Sequence, residues 1–140
     1  MSASKIVLVA DDSENDFFLL QTAFKFAGLP HLLIPVSNGQ MVVAYLQGEK
    51  PFSDRANWPF PDILILDVKM PILGGFDVLR FLLQRPDLKA PAAIMLSGSI
   101  LEDDQRQAAS LGAAAYIKKP AGRSESIALA REIDQRWLTL

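Results

Sequence analysis

The sequence contains no cysteine. That excludes a disulfide framework, a thiol nucleophile and a structural zinc site of the common cysteine-built type. Its single histidine, His31, excludes a multi-histidine metal centre and is read as a plain loop residue with no role. Neither sign of charge dominates: 14 Lys and Arg against 16 Asp and Glu leave a net −2. Nothing in that balance favours nucleic acid or an anionic membrane as a partner. No apolar run is long enough to span a bilayer. The opening Met1-Ser2-Ala3-Ser4-Lys5 is too short to be a signal peptide. The cytoplasm is the expected location.

The chain has 140 residues, half of them apolar, enough for one folded domain with a substantial core. The organising stretch is Asp62 to Pro71, DILILDVKMP. Ile63 to Leu66 form a short apolar run without polar alternation, the signature of a strand buried on both faces. The run stops at Asp67, and Pro71 forbids regular continuation. A lone carboxylate therefore stands just past the end of a central strand, the edge where open α/β sheets carry their chemistry. Asp67 is read as a nucleophile that carries a phosphoryl group.

Around that stretch the chain alternates strands and helices. Lys5–Ala10 is strand one, ending in Asp11 and Asp12, and helix one follows with Ser13 or Asp12 as N-cap. Its inward residues are Phe17, Leu20, Phe24 and Ala27. Leu32–Val36 is strand two, and Asn38-Gly39 opens helix two, with Met41, Val42, Tyr45 and Leu46 on its buried side. Gly48–Pro61 is a long loop with three prolines. Helix three carries a stripe of Phe76, Leu79 and Leu83 flanked by Val78 and Leu82. Ala92–Leu96 is strand four, running into Ser97. Glu102–Leu111 is helix four, and Ala113–Ile117 is strand five, followed by Lys118-Lys119-Pro120. Ser124–Leu138 is helix five, with Ile127, Ala130, Ile133 and Trp137 along one face, and the end of the chain (Trp137, Leu138, Leu140) is read as apolar surface open to a partner or a second copy.

Five βα units imply one α/β domain: a doubly wound parallel sheet with right-handed crossovers and helices on both faces. The five-strand order of such sheets is 2-1-3-4-5. That order is a property of the architecture. It sets strands one and three side by side, so Asp11, Asp12 and Asp67 meet at one crevice. Two like charges about 4 Å apart cost on the order of 4 kcal/mol at an effective dielectric of 20, so something cationic must compensate. Lys119 ends strand five on the same rim, and oxygen-only ligands in an open site suit Mg²⁺. Ser97 adds a hydroxyl there. A nucleophile, a metal site, a positive charge and a hydroxyl suit phosphoryl transfer.

These residues, in this order, resemble a response-regulator receiver domain of two-component signalling, with a flavodoxin-like fold, over almost the whole chain (residues 1–140 read as one such domain). The motifs are Asp11-Asp12, Asp67 with Met70-Pro71 and Gly75, Ser97-Gly98, Tyr116, and Lys119-Pro120. The resemblance implies that Asp67 takes a phosphoryl group from phosphohistidine. It implies Mg²⁺ on Asp12, Asp67 and the backbone carbonyl of Lys69, with Asp11 acting through water. It implies Lys119 on the phosphoryl oxygens, Ser97 hydrogen-bonded to the phosphorylated form, Tyr116 turning inward, and a cis bond before Pro120. The face made by helix four, strand five and helix five would then change shape to bind an unknown downstream protein or a second copy of the chain. Nothing follows Leu140, so the output is expected in another protein or in phosphate relay. The long loop is similar to that of single-domain regulators paired with cyanobacterial phytochromes. A sensor histidine kinase, with a phytochrome as the particular candidate, is the implied donor. Phe52, Trp58 and Phe60 of that loop are expected to cap the far end of the core.

Each residue alone has a plainer reading. Asp11 or Asp12 could cap helix one, Asp67 could form an Asx turn, Ser97 could simply end a strand, Tyr116 could pack on the sheet, and Lys119 could be solvated. Two other functions use the same parts. A haloacid-dehalogenase-type phosphatase also places an Asp after a buried strand, but its second Asp, the general acid, is Lys69 here. A receiver-like module that ignores phosphate would need neither the acidic pair nor Lys119.

Overall fold

The computed structural model describes residues 4–139. Five strands, β1 (Ile6–Ala10), β2 (Leu32–Val36), β3 (Ile63–Asp67), β4 (Ala92–Ser97) and β5 (Ala115–Lys118), form one parallel sheet in the order β2-β1-β3-β4-β5. The helices are α1 (Glu14–Phe26), α2 (Gly39–Gln47), α3 (Gly75–Gln84), α4 (Glu102–Ser110) and α5 (Arg123–Ile133). The expected order and fold are both found.

β3 explains the sheet's central position. Ile63 to Leu66 are all at most 1% exposed. Successive side chains point to opposite faces, so Leu64 and Leu66 join the core under α2, α3 and α4, while Ile63 and Ile65 join the core under α1 and α5. Each such side chain contributes about 1.5–3 kcal/mol on burial. The register sets Ala10 beside Leu66, Asp67 beside Leu96, and Ser97 beside Lys118. The residues just past those positions share one rim.

Local chemistry starts the helices where expected, with one choice settled. Ser13, not Asp12, caps α1: its Oγ accepts from the Asp16 N–H at 3.1 Å. Asn38 caps α2, accepting from Met41 N–H at 2.8 Å. In α3 the buried stripe is Val78 and Leu79, whereas Leu83 is 58% exposed. Leu83 lies one turn beyond Leu79, past the edge of the sheet's cover, beside Gly112.

The end of the chain differs from the expectation. After Ile133 the helix widens into a π turn, Asp134–Leu138. One extra residue per turn rotates the register, so Leu138 follows Ile133 into the core at 1% exposure and Trp137 stays half-buried. Leu138 is thus not apolar surface, and Leu140 lies outside the described residues. His31 is not a plain loop residue either. It is buried, its Nδ1 accepts the Lys5 N–H at 3.0 Å, and its Nε2 lies 2.6 Å from Asp134 Oδ1. The first of these bonds leaves the proton on Nε2, which donates to Asp134. The pair ties the π turn to the start of the sheet.

The 48–61 loop packs at the end of the sheet away from Asp67, because it leads from the end of α2 into the start of β3. Phe52 is buried against Tyr45 and Trp58. The Tyr45 hydroxyl donates to the Pro59 carbonyl at 2.8 Å, and Arg55 donates to the carbonyls of Leu46 and Trp58. Phe60 stays partly exposed beneath the Arg55 guanidinium.

Candidate functional site

Asp11 follows β1 directly, Asp67 ends β3, and Lys119 follows β5. Carboxylate oxygens of Asp11, Asp12 and Asp67 can all lie within 4.8 Å of one another. Oxygen donors of one sign at that separation fit a hard divalent cation. Asp12 is the exposed member, while the Asp11 and Asp67 side chains are 8% and 12% exposed.

The Lys119 ammonium sits among carboxylates. It contacts Asp16 Oδ2 at 2.8 Å, Asp11 Oδ2 at 2.9 Å and Asp67 Oδ2 at 3.2 Å. Its backbone is fixed too, since the Lys119 N–H donates to the Ser97 carbonyl at 2.7 Å. Burial alone would lower this ammonium's pKa. The hydrogen bonds to Asp16 and Asp11 and the charges of Asp67 and Asp11 outweigh it, and the net shift is upward. Asp67 is also raised. Burial is the largest cause, opposed by Lys119 and reinforced by Asp11. A simple ion pair would lower its acid. Asp67 goes up because the cost of burying its charge, with the Asp11 charge beside it, exceeds what the Lys119 ammonium returns.

Asp16 is the member that sequence reading missed. A signal was present: Ser13-Glu14-Asn15-Asp16 has the capping-box form, which fixes a carboxylate in the first turn of a helix. Asp11, Ser13 and Asp16 form one bonded turn, with the Ser13 N–H donating to Asp11 Oδ1 at 2.9 Å.

The remaining candidates stand near the rim, and of these the Lys69 backbone lies against the Asp67 carboxylate. Ser97 is buried at the end of β4, and its Oγ accepts from the Ser99 N–H at 3.3 Å. Tyr116 is half-buried, and its hydroxyl donates to the Ser99 carbonyl at 3.2 Å. The Lys69 side chain is exposed. The expected cis bond before Pro120 is not found: the one cis peptide bond among the described residues is Lys50–Pro51. Trans is the lower-energy form of X–Pro bonds, and with it Lys119 reaches all three carboxylates while its N–H stays on Ser97.

Gly75 lets the loop after Asp67 close. A Cβ there would lie 2.5 Å from both the Asp67 carbonyl oxygen and Met95 Cε. The Gly75 N–H donates to the Val68 carbonyl at 3.0 Å, and the Gly74 N–H donates to Asp77 at 3.0 Å.

An acidic cluster and one lysine at the carboxyl rim of a 2-1-3-4-5 sheet define an α/β domain with an aspartate-centred cation site. The family model described as response regulator receiver domain matches residues 7–131, and the chain belongs to that family. Phosphorylation on an aspartate is the family's general property. Among curated relatives, Response regulator Rcp1 of Synechocystis sp. is 30% identical, over 96% of this chain and 89% of that protein. Among solved structures, response regulator RPA3017 in red light signaling of R. palustris is 34% identical with a TM-score of 0.90, covering 96% of this chain and 94% of that one. The phosphorylated cyanobacterial phytochrome response regulator RcpA is 32% identical with a TM-score of 0.85, covering 98% and 96%. The Mn²⁺-bound form of Rcp1 reaches 0.82 at 30% identity, covering 96% and 94%.

Proposed function

We propose that Asp67 accepts a phosphoryl group from the phosphohistidine of a sensor histidine kinase, and that the kinase is a phytochrome. The observation that carries this reading is the Asp67 carboxylate, mostly buried at the end of β3 and 3.2 Å from the Lys119 ammonium. In the transfer a carboxylate oxygen of Asp67 forms a bond to phosphorus as the phosphorus–nitrogen bond breaks, and the imidazole leaves. Asp12, Asp67 and the Lys69 carbonyl would hold Mg²⁺, with Asp11 assisting. The cation supplies neutralisation of charge on the phosphoryl oxygens. Lys119 gives an ammonium hydrogen bond to the same oxygens, and the Ser97 hydroxyl donates to them. Tyr116 then leaves the Ser99 carbonyl and turns inward, and the face of α4, β5 and α5 changes shape for a downstream protein or a second copy of the chain.

The likeness to the phytochrome response regulator RcpA and to a response regulator of red light signaling, over nearly their full lengths, supports the choice of kinase and the reading of this chain as a receiver. Its only chemistry is then self-phosphorylation and the later hydrolysis of its own acyl phosphate. Acetyl phosphate, or a phosphorylated phytochrome kinase, should add one phosphate to the intact mass only when Mg²⁺ is present. An adduct that persists in Asp67→Asn, or that forms equally in excess chelator, would sink the reading.

A further inference from the structure

The three N–H donors of Lys119 face three carboxylates, and the shortest contact, 2.8 Å, is to a residue outside the cation cluster. Asp16 lies 103 residues from Lys119 in sequence, on the first turn of α1. The cation cluster comprises Asp11, Asp12 and Asp67 without it. The Asp16 backbone is fixed, because its own N–H is bonded to the Ser13 cap, and the Ser13 N–H is bonded in turn to Asp11. We propose that Asp16 is a positioning residue for Lys119: it holds the lysine while the site is empty and competes with the phosphoryl group for it afterwards. The inference rests on the Asp67 reading above and adds to it a residue that sets the balance between cation and phosphoryl affinity.

The consequences have opposite signs for the two ligands. A cation needs Asp11 and Asp67, both engaged by Lys119 in this structure. Asp16 gives the ammonium another carboxylate to remain with, so the other two can turn away from it. It also adds one negative charge that attracts the cation. A phosphoryl group brings a charge of about −1.5 to −2 and acceptor oxygens. It must take at least one lysine donor from a carboxylate, and it meets the Asp16 charge as repulsion. Asp16 therefore strengthens cation binding and weakens phosphoryl binding.

Isothermal titration tests this with Mg²⁺ alone, and then with beryllofluoride at saturating Mg²⁺. In Asp16→Asn, Mg²⁺ affinity should fall about threefold to tenfold and beryllofluoride affinity should rise by about the same factor, the scale of one charge at this range in partly screened surroundings. Asp16→Glu keeps the charge and should restore both constants toward wild type. Glu14→Gln removes an exposed charge from the same helical turn without touching Lys119 and should leave both nearly unchanged. If both affinities fall together in Asp16→Asn, its role is structural and the inference fails. It also fails if neither affinity moves while the wild type binds both ligands. A wild type that takes up no beryllofluoride at any Mg²⁺ concentration overturns the Asp67 reading itself, an outcome distinct from either of these.

Discussion

The Lys119 ammonium lies 3.2 Å from Asp67 Oδ2, the longest of the three carboxylate contacts it makes. On the proposed reading, the residue that takes the phosphoryl group has the longest contact with the ammonium that its product would need. A lysine shared in this way can shift toward a new anion without leaving any carboxylate wholly uncompensated.

Removing that lysine leaves Asp11, Asp16 and Asp67 without their shared cation. Lys119→Ala should lower the stability of the metal-free protein by about 2–3 kcal/mol, somewhat under the usual cost of breaking a buried ion pair, because the site is partly open to water. Mg²⁺ supplies positive charge to the same cluster, so it should recover part of the loss. Thermal unfolding with and without Mg²⁺ reads both effects. A melting point that does not respond to Mg²⁺ in the variant would count against the cluster as a cation site.

Asp67 makes a pH-dependent contribution whose sign follows from its upward shift. The folded protein keeps the Asp67 proton at pH values where the unfolded chain has lost it. That contribution to stability is complete below the ordinary carboxylate value and is lost as pH rises through the folded value. The raised Lys119 acts at the other end: its contribution holds through neutral pH and is lost on the alkaline side. Without divalent cations, Asp67→Asn should therefore be more stable than wild type at neutral pH, by on the order of 1 kcal/mol. The gap should open as pH rises from the ordinary carboxylate value through the raised folded one and then stay level. A variant less stable than wild type at pH 7 would reverse the sign.

Gly75→Ala would press a methyl group on the Asp67 carbonyl and on Met95. Backbone cannot yield as a flexible side-chain tip can, so the loop from Val68 to Gly74 must move. A loss of about 1–3 kcal/mol is expected, as for overpacking in a core. Weaker uptake of beryllofluoride should accompany it. Chemical denaturation measures the first and titration the second. Unchanged stability would mean that the loop after β3 has slack.

Much of the fold was legible because its signals are local. The apolar run of β3, the caps at Ser13 and Asn38, and the strand-end residues Asp67 and Lys119 each announce themselves within a few positions. The site was legible in outline because the sheet order alone brings β1 and β3 together. What escaped depends on geometry that periodicity does not carry. The π turn after Ile133 breaks the helical count, so the stripe that predicts Trp137 inside delivers Leu138. His31 meets Asp134, 103 positions away, and no local pattern pairs them. Asp16 was hidden because its cap signature reads as helix chemistry, not as part of a site.

The π turn carries its own test. Leu138→Ala empties a fully buried position and should cost about 2–4 kcal/mol. Trp137→Ala, at a half-buried position, should cost clearly less despite the larger side chain removed. Paired denaturation curves decide it. A greater loss at Trp137 would restore the unbroken helix.

The proposed phosphorylation makes one oxygen–phosphorus bond on one residue. Borohydride reduces an acyl phosphate to an alcohol, so treating the phosphorylated protein and sequencing its peptides by mass spectrometry marks the acceptor. Homoserine is expected in place of Asp67 alone. Homoserine in place of Asp11, Asp12 or Asp16, or a borohydride-resistant phosphate on a serine, would contradict it.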